Sequence, residues 1–171
     1  LSRRIESSPD GMRVNIEPTA YDARSEAVEP DASGATYFWG GAAVTPASRC
    51  EIPLNTSESI QSDACFREVL AVGGHRGGTC DLSLMPDAAM TLAAVACFSE
   101  GTTTITGLRT LRVKETDRLV AVQNELSKIG VRVEIFSYAR EDGSADEGLR
   151  ITAPVGGVDC SASAPRVVFE T

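Results

Sequence analysis

The sequence has no apolar run that approaches the ~20 residues required for a membrane-spanning helix. Its five cysteines are widely spaced and include no CxxC pair, so they indicate neither a zinc site nor a disulfide framework. A formal net charge of -8 excludes the broad basic surface that a general nucleic-acid binder needs. We therefore expect a protein that has no zinc site, no membrane span and no nucleic-acid partner.

Histidine is also scarce, since His75 is the only one in the chain. It lies in a glycine-rich stretch, Gly73–Gly78, that fits neither the Walker pattern nor the GxGxxG spacing, and we interpret this stretch as a plain loop. Cys65 and Cys97 fall in apolar helical stretches and are expected to be buried as small apolar side chains. No signal-like apolar segment follows Leu1–Arg4. The odd number and wide spacing of the cysteines also favour a reducing, cytoplasmic setting.

On this acidic background, one segment concentrates positive charge. Four cationic side chains fall within ten residues: Arg109, Arg112, Lys114 and Arg118. Such a cluster suits a small anionic substrate such as a phosphate or a carboxylate. A predicted amphipathic helix, Glu115–Ile129, begins in the same place, and its N-terminal N–H groups would add to the positive field. The alternative is a solvated helix start whose cations form ordinary ion pairs with Glu115 and Asp117.

Two blocks of the sequence resemble one another, and they begin at Pro30-Asp31-Ala32 and Pro86-Asp87-Ala88. Each aspartate is expected to open a helix, with a strand before it and a strand and a second helix after it. The predicted strands are Glu26–Glu29, Cys50–Leu54, Cys80–Leu84, Thr102–Thr106, Val131–Phe136 and Leu149–Thr152. The predicted helices are Asp31–Val44, Ser62–Val72, Asp87–Phe98 and Glu115–Ile129. The predicted fold class is therefore α/β, built from repeated βαβαββ-like units.

These elements predict a division of the chain into units. Residues 28–84 form the first unit and residues 85–153 the second. Residues 1–27 are interpreted as the tail of a preceding unit, in which Met12–Ile16 is a strand. Residues 154–171 are interpreted as the start of a third unit that is cut short, with a strand at Arg166–Thr171. We therefore expect a piece of a larger protein.

Three motifs together resemble the EPSP synthase family of enolpyruvyl transferases. They are VEPDASGATYF at Val28–Phe38, PDAAM at Pro86–Met90 and RVKETDR at Arg112–Arg118. Their order and separation also match, and the last motif is the most specific of the three. The resemblance implies a fold of two domains, each with three βαβαββ units, of which this chain would supply most of one domain. It also implies transfer of the enolpyruvyl group of phosphoenolpyruvate to the 5-hydroxyl of shikimate 3-phosphate, a reaction for which we expect no metal and no organic cofactor.

The resemblance assigns candidate roles to individual residues. Asp87 is the candidate base for the shikimate hydroxyl, although the sequence alone favours a helix N-cap at this position, and the two roles are compatible. Lys114 is expected to contact the hydroxyl and the phosphate region, and Glu115 is the candidate acid that protonates the phosphoenolpyruvate methylene. Arg118 would bind the phosphoenolpyruvate anion with its guanidinium fork. Arg112 and Asp117, which belong to the same motif, are given structural roles.

The sequence departs from the family pattern at Thr110, where many relatives have an asparagine that helps to hold shikimate phosphate. Threonine keeps a hydroxyl but is shorter, so Thr110 is retained as a candidate substrate contact. Other anion-binding groups of the family have no match in this chain, and we expect the chain alone to be inactive. Apolar surface left open by the missing parts is expected to favour self-association.

Two other functions compete with this interpretation. A relative of the UDP-N-acetylglucosamine enolpyruvyl transferase would share the fold, but its motifs differ from those at Pro86–Met90 and Lys114–Arg118. A non-catalytic repeat module would keep the fold and bind a partner or nothing.

Overall fold

The computed structural model describes residues 5–18, 23, 25–73 and 76–158. His75, Cys160 and the predicted strand at 166–171 lie outside these residues. The helices are α1 (Ala32–Val44), α2 (Phe66–Ala71), α3 (Ala89–Ala96) and α4 (Arg118–Lys128), and short 3-10 turns cover Ser62–Cys65, Pro86–Ala88 and Arg109–Val113. The strands are β1 (Ile5–Ser7), β2 (Val14–Ile16), β3 (Gly78–Asp81), β4 (Thr102–Thr106), β5 (Arg132–Ala139) and β6 (Ala145–Thr152).

Four of the strands form one sheet in the order β3-β4-β6-β5. Strands β3 and β4 are parallel and are connected through α3, whereas β6 is antiparallel to both β4 and β5. Along the chain these elements read β3-α3-β4-α4-β5-β6, which confirms the predicted βαβαββ order in the second block. Strands β1 and β2 form a separate antiparallel hairpin with exposed side chains.

The core lies between one face of this sheet and the helices. Alternate residues of the strands point inward and are buried: Thr103, Ile105, Val133, Leu149 and Ile151. They belong to the same core as Leu92 of α3 and Leu119 of α4. Helix α1 packs closely on α3 at Gly40. A Cβ atom at this position would lie only 2.5 Å from the Thr91 methyl carbon. The glycine therefore lets the two helices approach each other.

Several predicted boundaries are confirmed and others are wrong. Strand β4 begins and ends as predicted, and β5 and β6 are longer than predicted, which reduces the loop between them to a turn at 140–144. No strand is present at the predicted positions 26–29 and 50–54, so the regular elements described between residues 28 and 73 are α1, the Ser62–Cys65 turn and α2. Pro30 and Pro53 stand at these two segments, and proline cannot donate a hydrogen bond to a strand ladder. The division into units at residue 84 stays a prediction.

The two predicted aspartate caps have different outcomes. Asp31 is confirmed as the N-cap of α1, because its carboxylate accepts a hydrogen bond of 3.1 Å from the Gly34 N–H. Asp87 does not cap α3: it lies inside the Pro86–Ala88 turn, and α3 begins without a side-chain cap. The last helix starts three residues later than predicted, because Asp117 accepts the Val120 N–H at 3.2 Å and becomes the cap of α4.

Among the residues that the structure describes, no helix is long and apolar enough to cross a membrane.

The cap at Asp31 gives a test of the fold. Asp31→Ala should lower the free energy of unfolding by about 1 kcal/mol, because the first turn of α1 loses its side-chain acceptor. Asp31→Asn keeps a capping oxygen and should change the stability by only a few tenths of that amount. Urea denaturation followed by circular dichroism measures both variants. Equal stability of Asp31→Ala and the parent chain would show that this cap contributes nothing.

Candidate anion-binding site

The candidate site is built where the connections after two parallel strands meet. The chain leaves β3 and enters the Pro86–Ala88 turn, and it leaves β4 and enters the Arg109–Val113 turn. Gly107 allows the two connections to cross, because a Cβ atom there would lie 2.4 Å from the Ser83 nitrogen, and its φ of +82° also favours glycine. The two turns contact each other. This crossing places Asp87 opposite the cationic segment, at the carboxyl ends of the strands, where open α/β sheets bind ligands.

Four of the predicted site residues come together at this crossing. The Lys114 Nζ lies 3.1 Å from the Asp87 Oδ1, and the Arg118 Nη1 lies 2.9 Å from the same oxygen. On its other side, Arg118 donates to both carboxylate oxygens of Glu115, at 2.8 Å from Nε and 2.9 Å from Nη2. Asp87, Lys114, Glu115 and Arg118, which we call the ionic cluster, therefore form a chain of alternating charges.

The ionic cluster is accessible to solvent. Asp87 is 42% exposed and Glu115 is 65% exposed, whereas the Arg118 side chain is 25% exposed. The hydrogen bonds from Arg118 lower the pKa of Glu115, so this carboxylate is ionised near neutral pH. Each cation of the cluster thus faces a carboxylate, and an anionic ligand would have to compete with Asp87 or Glu115 for them. The ordinary ion pair at the helix start, which was the alternative interpretation, is present as the Glu115–Arg118 pair.

Thr110 is not part of this cluster. It is an exposed residue of the Arg109–Val113 turn, and no hydrogen bond between described residues joins it to Asp87, Lys114 or Arg118. Its predicted role as a substrate contact stays a prediction.

The guanidinium group of Arg112 is bound by the carboxylates of Glu147 and Asp117, which lie outside the ionic cluster. Its Nε and Nη2 donate to the two oxygens of Glu147 at 2.8 and 2.6 Å, and its Nη1 donates to Asp117 at 2.7 Å. These contacts raise the pKa of Arg112, chiefly through Glu147, and lower the pKa of both Glu147 and Asp117. The arrangement fits the structural roles expected for Arg112 and Asp117.

Sequence reasoning missed Glu147, and with it Asp146. Both fall between the predicted strands Val131–Phe136 and Leu149–Thr152, whereas they lie on β6 and contact the turn that precedes α4. The pairing of Glu147 with Arg112 spans 35 residues and leaves no local pattern in the sequence.

Within the described ranges, the structure contains no group of three or more His, Cys, Asp or Glu side chains that could hold a metal ion. Among the described cysteines, Cys50 and Cys65 are free thiols. Cys97 is buried as predicted, and Cys65 is only partly buried.

Comparison with known proteins gives a consistent set of relatives. The family model of EPSP synthase (3-phosphoshikimate 1-carboxyvinyltransferase) matches residues 1–161. Among curated relatives of that name, the protein of Nitrosomonas europaea is 39% identical over 80% of this chain and 34% of its own length. Those of Serratia proteamaculans and Pasteurella multocida are 37% and 40% identical, over 76% and 63% of this chain and 35% and 28% of their own lengths.

The chain spans about a third of the length of the curated relatives it matches. The match nevertheless includes all three motifs that carry the resemblance and the whole of the βαβαββ unit that holds the ionic cluster. On this evidence the chain belongs to the EPSP synthase family.

Proposed function

We propose that this chain supplies one wall of an active site that transfers the enolpyruvyl group of phosphoenolpyruvate to the 5-hydroxyl of shikimate 3-phosphate. The observation that carries the proposal is the convergence of Lys114 and Arg118 on the Asp87 carboxylate. Two cations beside an accessible carboxylate can bind an anionic substrate and accept a proton from its hydroxyl in one place. The relatives are named for this transfer, which supports the same assignment.

Asp87 acts as the general base in this proposal. Its carboxylate is exposed enough for a substrate hydroxyl to reach it, and it is not engaged in capping α3. Lys114 contacts both oxygens of this carboxylate and Arg118 donates to one of them, so the position of Asp87 is fixed although 42% of its side chain is exposed. The hydroxyl proton passes to Asp87 as the oxygen attacks the enol carbon.

Arg118 binds the phosphoenolpyruvate anion, and this has a consequence for Glu115. The guanidinium fork suits a carboxylate or phosphate, and in the free protein it is occupied by Glu115. When substrate takes over the fork, Glu115 loses the contact that lowers its pKa and gains a negative neighbour. Its pKa then rises, and Glu115 becomes able to protonate the methylene carbon in the addition step. Elimination of phosphate from the adduct, with loss of a proton from the new methyl group, then restores the enol double bond on the shikimate oxygen.

The remainder of the active site is proposed to lie outside this chain. Two anions must be bound together, and the clustered cations here are already balanced by Asp87 and Glu115.

Tyr37 and Phe98, which are exposed on α1 and at the end of α3, agree with the expectation of self-association through uncovered apolar surface. Self-association and the cytoplasmic location stay predictions. The family match favours this function over a UDP-N-acetylglucosamine transferase or a non-catalytic module.

The first test is substitution in a full-length enzyme that contains this segment. Asp87→Asn should lower kcat by about 10²- to 10⁴-fold, because an amide cannot accept the hydroxyl proton. The matched control is Asp31→Asn, which changes the corresponding aspartate of the other block and should leave kcat unchanged. Steady-state assay of phosphate release measures both. An Asp87→Asn enzyme with full activity would remove Asp87 from the reaction.

The second test separates anion binding from general charge. Arg118→Ala should raise the KM for phosphoenolpyruvate about tenfold or more, because it removes a charge-assisted fork. Lys128→Ala removes a cation from the far end of the same helix, where Lys128 pairs with Glu125, and should leave KM unchanged. Equal effects of the two substitutions would assign the loss to overall charge.

The third test uses the chain alone. With both substrates present it should release no measurable phosphate, because the groups that complete the site are absent. Turnover in the ordinary enzyme range of about 1–10³ per second would show that one wall is sufficient and would contradict the proposal.

A further inference from the structure

The Arg112 guanidinium connects three elements that are distant in sequence. It lies at the end of the Arg109–Val113 turn and holds Glu147 of β6 in a two-bonded fork, at 2.8 and 2.6 Å. Its remaining amino group donates to Asp117, the N-cap of α4, at 2.7 Å. The Arg112 side chain is 31% exposed and that of Glu147 is 20% exposed, so the fork is partly shielded from solvent. Bidentate, shielded pairs of this kind fix geometry far better than surface pairs do.

Strand β6 also holds the start of the turn. The Leu108 N–H donates to the Glu147 carbonyl oxygen at 3.0 Å, and the Arg109 N–H donates to the Asp146 carboxylate at 3.0 Å. Asp146 is only 5% exposed and also accepts from Arg140 at 2.7 Å. Both ends of the turn are therefore attached to the same strand.

Asp117 transmits this attachment to the helix. One of its oxygens accepts from Arg112, and the other caps α4 through the Val120 N–H. The four residues between Arg112 and Asp117 are thus held at both ends, and they include Lys114. Arg118 follows Asp117 directly, so its position depends on the same cap.

We propose that Glu147 is a positioning residue that acts through Arg112 and Asp117 to hold Lys114 and Arg118 against Asp87. Its importance for catalysis rests on the proposed function, whereas its effect on the geometry of the ionic cluster does not. No hydrogen bond or ion pair between described residues joins Glu147 to the ionic cluster, so its substitution is expected to act on the cluster through Arg112.

The proposal is tested on the 171-residue chain by NMR of the arginine side chains. In the parent chain, the Arg118 Nε–H is held by Glu115, and its exchange with solvent reports how firmly the side chain is placed. Glu147→Gln keeps the size of the residue but removes the charge and one acceptor of the fork. We expect Arg118 Nε–H exchange to accelerate on the order of tenfold, the lower end of the effect typical of residues that orient a ligating side chain.

Two controls distinguish positioning from general loss of stability. Glu125→Gln removes the Glu125–Lys128 ion pair on the same helix and should leave the Arg118 signal unchanged. Backbone N–H exchange at Ile105, in the core of the sheet, should be unchanged in Glu147→Gln. Equal acceleration at Ile105 and Arg118 would mean that Glu147 is merely structural and would overturn the proposal, as would an unchanged Arg118 signal.

Titration with phosphoenolpyruvate completes the experiment and keeps the two proposals separate. If the proposed function is correct, the Arg118 signal of the parent chain shifts on titration, and Glu147→Gln weakens this binding about tenfold. If the parent chain shows no shift, the proposed role of Arg118 fails, while the exchange rates still decide the role of Glu147. Should Glu147→Gln not fold, Arg112→Lys replaces it, because lysine keeps the charge but cannot bridge Glu147 and Asp117 with a planar fork.

Discussion

The bridge from Glu147 through Arg112 to Asp117 is the interaction on which the arrangement of the site depends. A guanidinium is planar and offers donors in several directions, so it can hold one carboxylate with two bonds and a second carboxylate with another. In this protein the two carboxylates belong to a strand and to a helix cap. The segment between them is therefore fixed without a hydrophobic core of its own, and it can carry charged side chains toward solvent.

The charge balance of the cluster explains how a protein with a net charge of -8 can offer an anion site. Lys114 and Arg118 are held by Asp87 and Glu115, which keeps the two cations together until a ligand replaces a carboxylate. An anion that binds Arg118 must displace Glu115, and this displacement alters the pKa of Glu115. In the proposed function, binding and acid–base chemistry are thereby coupled through one guanidinium group.

The sequence predicts most local features of the second block and few of the long-range ones. A continuous run of β-branched residues locates β4 correctly, and the Pro-Asp pair locates the cap at Asp31, because both signals are local. The same signal fails at Asp87, where Pro86 begins a 3-10 turn and turns the carboxylate toward Lys114 and Arg118. The motif at Arg112–Arg118 provides three of the candidate site residues, but the partner of Arg112 on β6 depends on tertiary structure and leaves no local pattern.

A crystal structure of the complete enzyme with shikimate 3-phosphate and phosphoenolpyruvate bound tests the central claim most directly. The account predicts the Asp87 carboxylate within hydrogen-bond distance of the shikimate 5-hydroxyl, and the Arg118 fork on phosphoenolpyruvate in place of Glu115. A structure in which both substrates are bound while Arg118 still holds Glu115 and Asp87, with no substrate atom in contact with these residues, would contradict it.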